Sequence, residues 1–159
     1  MDLLEVKSRI AEALVESIFR RAQYSLAPVK HPMMLDGTVR VGEFAPHVVV
    51  RKERDDQLLE FPISVKYRLH IEQYLSLEQQ RGPKSGFYMA WHQWPDLRFV
   101  FVSDRPDAER SCFQIVQPGK TNSLLATDLA DVPELEIFRQ NIEDHEELAR
   151  RIFSLLAGA

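Results

Sequence analysis

The segment that most constrains the fold is residues 46–68, PHVVVRKERDDQLLEFPISVKYR, because it has the pattern of a β-hairpin. Its first half is β-branched from about His47 to Lys52. Its second half, from about Leu58 to Arg68, alternates apolar and polar residues. The polar run at residues 54–57 separates the halves and predicts a turn. The chain is therefore expected to place two antiparallel strands side by side.

Helices and further strands are predicted on both sides of this hairpin. Apolar residues at helical spacing predict an amphipathic helix from Asp2 to about Arg21, with Asp2 as its cap. A second helix, LHIEQYLSLEQQRG, should end at Gly82-Pro83. Residues 30–38 are expected to form a loop, and the other predicted strands are YSLAPV, GFYMAWHQW, LRFVFVSD and SCFQIVQ. This order predicts an α/β fold with helices packed on a mixed sheet.

The C-terminal part is expected to be helical in two pieces. Asn141 is the expected cap of the second piece, whose apolar face is predicted to contain Leu148, Ile152, Phe153 and Leu156. With 159 residues, the chain has the size of one domain. We therefore expect a single domain, 1–159, with a C-terminal helical extension from about residue 133.

Composition and charge limit the functions that the chain can have. Apolar residues make up 45% and charged residues 28% of the sequence, which is an ordinary globular balance. The net charge of −4 means that any nucleic-acid site must be a local basic patch. The single cysteine, Cys112, excludes an internal disulfide and a cysteine-based zinc site.

The sequence also bears on the compartment. The N-terminal residues are charged and helical in period, without the apolar run of a signal peptide. No stretch reaches the length of a membrane span. A cytoplasmic location and no membrane partner are therefore expected.

The order of the elements resembles that of a known superfamily. A helix that carries a glutamate is followed by a strand that opens at Pro46, a return strand that ends Ser64-Val65-Lys66, and then a helix and a strand. This order resembles the PD-(D/E)xK nuclease superfamily, which includes Holliday-junction resolvases, over roughly residues 2–104. The resemblance implies a restriction-endonuclease-like mixed sheet flanked by helices. The last third of the chain does not take part in it.

The family motif is only partly present. In the family, two acids hold Mg²⁺ on the scissile phosphate, and a lysine helps to orient the attacking water. Lys66 matches that lysine, and Glu12 or Glu16 could match the helix glutamate. However, His47 stands at the aspartate position and Ser64 at the glutamate position, and neither is a good Mg²⁺ ligand. The resemblance therefore implies a degenerate site with a vestigial lysine and no expected cofactor.

The first functional hypothesis is a nuclease-fold protein without an active metal site. It would act as a nucleic-acid-binding or accessory module, on DNA or on a protein partner, and it could form a homodimer. The residues expected to contact nucleic acid are Lys66, Arg68, Arg81 and Lys84. These residues could also be ordinary surface residues, because lysines and arginines at turns commonly serve only to keep a protein soluble. Trp91, His92 and Trp94 could stack on bases or simply pack.

Two further hypotheses remain open. The chain could be an active endonuclease with rearranged acids, in which Glu16, Glu60 and Lys66 converge with Mg²⁺ or Mn²⁺. In one variant of this hypothesis, Glu43 enters the site as a metal ligand. In another, His47 and Glu16 hold a softer metal such as Mn²⁺ or Zn²⁺. Alternatively, the chain could be a structural or protein-interaction α/β domain unrelated to nucleases. In that case PHVVV and EFPISVK are not expected to pair as neighbours.

Overall fold

The computed structural model of the protein describes residues 2–29, 44–119 and 123–158. The helices are α1 (Leu3–Arg21), α2 (Ile71–Gln80), α3 (Gly86–Gln93) and α4 (Arg139–Ala157). The strands are β1 (Ser25–Pro28), β2 (Val48–Arg54), β3 (Gln57–Tyr67), β4 (Arg98–Val102), β5 (Phe113–Val116) and β6 (Thr127–Asp128). Short 3₁₀ turns lie at Gly82–Lys84, Leu129–Asp131 and Pro133–Leu135.

Within the described residues, the strands form one six-stranded sheet in the order β1-β2-β3-β4-β5-β6. Neighbouring strands are antiparallel except for β3 and β4, which are parallel and are connected through α2 and α3. The predicted hairpin is confirmed, with Val48 opposite Ile63 and Arg54 opposite Gln57. The hypothesis of an unrelated α/β domain predicted that PHVVV and EFPISVK do not pair as neighbours, and the observed pairing contradicts that prediction. The fold is α/β, with a mixed sheet flanked by helices.

Helix α1 forms as predicted. The Asp2 carboxylate accepts a hydrogen bond of 2.8 Å from the amide of Glu5, which satisfies one of the free donors at the helix start. The buried residues of the helix recur at helical spacing and pack on the sheet; they are Ala11, Leu14, Val15, Ile18 and Phe19. The N-terminal segment is therefore anchored through one continuous apolar face.

A separate apolar core covers each face of the sheet. Helices α1 and α4 cover the first face, where strand residues such as Phe61, Ile63 and Val100 belong to one core. Helices α2 and α3 cover the second face, where Phe99 and Phe101 belong to the other core. Since side chains alternate along a strand, Val65 and Tyr67 of β3 join the first core. Ser64 and Lys66 therefore point to the second core.

The segment GFYMAWHQW was predicted as a strand, and this prediction is wrong. Residues Gly86–Gln93 form helix α3, which Ser85 caps by accepting a hydrogen bond of 3.3 Å from the amide of Phe87. The continuous apolar run has no alternation, and such a run fits a buried helix as well as a strand. Trp91 and His92 therefore lie on a helix surface, and the indole of Trp91 donates to the carbonyl of Leu97 at 2.7 Å.

The cap predicted for the last helix is also wrong. The N-cap of α4 is Phe138, and Asn141 is buried inside the first turn. Its side-chain amide donates to the carbonyl of Ile18 at 3.0 Å, so it connects α4 to α1. Asn141 therefore forms a hydrogen bond between α4 and α1 and does not cap its own helix.

The apolar face of α4 differs in part from the prediction. Phe153 is buried, Ile152 and Leu156 are half-buried, and Leu148 is 44% exposed. The buried stripe instead contains Asn141, Ile142, His145, Ala149 and Phe153. The predicted loop at residues 30–38 lies outside the described residues. No helix in the part of the chain that the structure describes is long and apolar enough to cross a membrane.

Candidate functional site

The two positions at which the family motif has acids lie opposite each other in the sheet. His47 directly precedes β2, and its amide donates to the carbonyl of Ile63 at 3.1 Å. The β2–β3 register pairs Val48 with Ile63, so its continuation places His47 opposite Ser64. Ser64 is 3% exposed. The hairpin therefore brings together the residues that the resemblance singles out, but neither of them is a carboxylate.

Lys66 is held inside the protein. The residue is 5% exposed, and its ammonium lies 4.4 Å from the centroid of the Phe44 ring. The same ring contacts Phe87 edge to face at 5.3 Å between centroids. It also covers Gly86, where an added Cβ would lie 2.2 Å from Phe44 Cε2. An aromatic ring therefore occupies the space beside the lysine, and Lys66 is neither a solvated strand end nor part of an exposed basic edge.

The histidine beside this lysine is in an unusual electrostatic setting. Burial lowers the pKa of His47, the negative charge of Glu16 opposes this effect, and the positive charge of Lys66 adds to it. Nε2 of His47 is buried and has no hydrogen-bond partner among the described residues. Its surroundings therefore favour the neutral form of the imidazole.

The two acids of the rearranged-site hypothesis that the structure describes each pair with an arginine. Glu16 pairs with Arg20 at 3.5 Å, as its spacing on the helix predicts. Glu60 pairs with Arg51 at 3.8 Å and lies six residues before Lys66, about 20 Å along an extended strand. Within residues 2–29, 44–119 and 123–158, no group of three or more His, Cys, Asp or Glu side chains is placed to hold a metal ion. Glu43 lies outside the described residues.

Glu12, the other candidate for the helix glutamate, lies on the same helix as Glu16. Its carboxyl has a raised pKa because burial outweighs the opposing charge of Arg9. This raised pKa is a local consequence of packing.

The four basic residues predicted to bind nucleic acid lie in two places. Arg68 precedes α2, and its guanidinium lies 4.5 Å from the centroid of the Tyr74 ring. Arg81 and Lys84 follow α2, a helix of 10 residues and therefore about 15 Å long. Arg81 and Lys84 thus share one turn, while Lys66 and Arg68 belong to the other end of the helix.

A cleft of about 240 Å³ lies where α2 meets α3. Its lining residues are Gln79, Gly82, Pro83, Tyr88 and His92. Sequence reasoning singled out His92 but missed Gln79 and Tyr88, because the spacing of four between Tyr88 and His92 has meaning only on a helix. The turn that contains Arg81 and Lys84 therefore lies beside the same cleft as the aromatic segment that contains His92.

A buried carboxylate braces the turn beside this cleft. Glu78 is 5% exposed and accepts a hydrogen bond of 3.0 Å from the hydroxyl of Ser85. Its second oxygen lies 3.4 Å from the guanidinium of Arg81. Since Ser85 also caps α3, one network fixes the end of α2, the turn and the start of α3. The cleft is therefore preformed.

No protein-family model, curated protein or solved structure matches the chain. What the protein does therefore has to be inferred from its own residues.

Proposed function

We propose that the chain is a restriction-endonuclease-like domain that binds nucleic acid but has lost the two-acid metal site of the PD-(D/E)xK nucleases. Support for this fold comes from the order of its elements. Helix α1 precedes three antiparallel strands, and α2 then leads to β4, which is parallel to β3. This is the order that the resemblance implies, with Lys66 near the end of β3 and Glu16 on α1.

One observation supports the loss of cleavage: Lys66 is buried against Phe44 at 4.4 Å, and the acid positions of the family motif are occupied by His47 and Ser64. Mg²⁺ needs hard oxygen ligands, usually carboxylates, before it can polarise a phosphate and activate water. A neutral imidazole and a buried hydroxyl do not supply such ligands. The lysine therefore stabilises the packing of Phe44 and takes no part in hydrolysis.

Support for binding comes from the turn between α2 and α3. Arg81 and Lys84 are exposed there, beside a cleft that Tyr88 and His92 line. Lys and Arg side chains that neutralise phosphates supply most of the non-specific affinity for nucleic acid. Because the whole chain has a net charge of −4, such binding must be local and sensitive to salt.

The experiment is a combined cleavage and mobility-shift assay. Supercoiled plasmid, linear duplex, branched DNA and a single-stranded oligonucleotide are incubated with the protein, with Mg²⁺ and separately with Mn²⁺. We expect a mobility shift without strand breaks, and the same result for Lys66→Ala. Metal-dependent cutting that disappears in Lys66→Ala would overturn the proposal. It would show that acids outside the described residues complete the site.

A second candidate function is a protein-interaction module, for which a homodimer is the simplest case. Leu148 and Leu155 of α4 are 44% and 76% exposed, and their spacing of seven places them on one helix face. Exposed apolar residues in a contiguous patch commonly mark protein contacts. Sedimentation of the wild type and of Leu155→Glu tests this candidate. A dimer that the variant converts to a monomer would support it, and a monomeric wild type would exclude the homodimer.

A further inference from the structure

We propose that the cleft between α2 and α3 binds one unpaired nucleobase, while Arg81 and Lys84 contact the adjacent phosphates. This inference rests on the proposed function and names its ligand class, which is single-stranded nucleic acid. Its basis is that an aromatic-lined cleft and two exposed cations meet on one turn.

The size and lining of the cleft suit one flat ring. Its volume of about 240 Å³ lies below that of pockets for drug-sized ligands, which begin at roughly 300 Å³. Tyr88 and His92 lie one helical turn apart on α3, so their rings are neighbours along the cleft. Gly82 and Pro83 continue the lining from the 3₁₀ turn. Every base has a π-face, so aromatic lining of this kind accepts bases of any sequence.

The aromatic wall is fixed before a ligand arrives. Tyr88 packs edge to face against Trp91, with 5.6 Å between ring centroids. Trp91 is in turn fixed by its hydrogen bond to the carbonyl of Leu97. The Glu78 network fixes the turn on the other side. A preformed site avoids the cost of ordering its side chains on binding.

The backbone at the mouth of the cleft leaves room for a ligand. Gly82 has a φ of +57°, and nothing lies within 4 Å of the point where its Cβ would be. A positive φ favours glycine, and the open space allows a sugar or phosphate to approach the backbone closely. The backbone at Gly82 can therefore be approached from the cleft without a steric clash.

The charges beside the cleft match a phosphate backbone. The side chain of Arg81 is 65% exposed although it pairs with Glu78. Lys84 is exposed three residues further on. If both neutralise a phosphate of a single strand, the slope of log K against log salt is expected to be about −1.4. A site for an uncharged aromatic peptide would show no such slope.

The test is fluorescence anisotropy with a labelled single-stranded oligonucleotide and the matching duplex. We expect tighter binding of the single strand, and a roughly tenfold or greater loss of affinity in Tyr88→Ala because the stacking surface is removed. Tyr88→Phe keeps the ring and should bind within about twofold of the wild type. Lys84→Gln should reduce the salt slope by about 0.7. Arg151→Gln removes an exposed arginine from α4 and should change neither quantity.

The outcomes separate this inference from the function on which it rests. If the wild type binds but Tyr88→Ala, His92→Ala and Lys84→Gln bind equally well, the cleft is not the site and binding without cleavage stands. Equal affinity for duplex and single strand would overturn the proposal that the ligand is an unpaired base. It would leave binding without cleavage standing. If the wild type binds no nucleic acid, both proposals fail. If Tyr88→Ala does not fold, unchanged affinity in His92→Ala and Lys84→Gln would still show that the cleft is not the binding site.

Discussion

The ammonium of Lys66 lies 4.4 Å from the centroid of the Phe44 ring, and the residue is only 5% exposed. Lys66→Ala therefore removes buried methylene groups as well as a cation beside an aromatic ring. We expect it to lower the free energy of unfolding by about 1–3 kcal/mol. Urea denaturation measures this loss. Lys84→Ala, at an exposed lysine, is the control and should stay within about 0.5 kcal/mol of the wild type. Equal stability of the two variants would contradict the buried position of Lys66.

The contact between Gly86 and Phe44 leaves no room for a side chain. A Cβ at Gly86 would lie 2.2 Å from Phe44 Cε2, so Gly86→Ala must displace a ring that packs against Phe87. Overpacking of this kind costs about 1–3 kcal/mol, which chemical denaturation can measure. Gly158→Ala is the matched control, since its Cβ would meet only carbonyl oxygens at 3.8 Å. A neutral Gly86→Ala would show that Phe44 does not occupy this position.

Acid should destabilise the protein through His47. Burial lowers the pKa of this histidine from 6.5 in the folded state, with Glu16 opposing the effect and Lys66 adding to it. Below pH 6.5 the histidine therefore takes up a proton more readily in the unfolded chain than in the folded chain. The free energy of unfolding falls as the pH falls. His47→Gln lacks this proton uptake. Urea denaturation at pH 7.5 and pH 5.5 should show a larger loss for the wild type than for His47→Gln. Equal losses would contradict the burial of the imidazole.

The only cysteine of the chain should be unreactive in the folded protein. Cys112 is 0% exposed, and burial is the main reason why its pKa rises to about 11. The thiolate is the reactive form, so a thiol reagent at pH 8 should modify the native protein very slowly. The same reagent in denaturant should modify one thiol per chain at once, which is the control. Rapid modification without denaturant would contradict this packing.

The hairpin and α1 could be predicted because their signals are local. Alternation and a polar turn determine which residues of β2 and β3 pair, and spacing with an acidic cap determines where α1 begins. Helix α3 could not be predicted in this way, because Phe87 to Trp91 is an apolar run without a period. The role of Asn141 depends on its contact with Ile18, which is 123 residues away in sequence.

The candidate site could be predicted only in part for the same reason. The hairpin register gives the positions of His47, Ser64 and Lys66, which the resemblance had singled out. The burial of Lys66 depends on the ring of Phe44, which comes from a different segment and has no motif. The cleft beside Arg81 required α3 to be recognised as a helix.

The most direct test of binding without cleavage is the dissociation constant of a single-stranded oligonucleotide, measured in Mg²⁺ and again in EDTA at matched ionic strength. The oligonucleotide is recovered from both samples and run on a denaturing gel. The account predicts the same dissociation constant in both buffers and an oligonucleotide of full length, because no metal takes part. Binding that needs Mg²⁺, or shortened products that appear only with the metal, would contradict it.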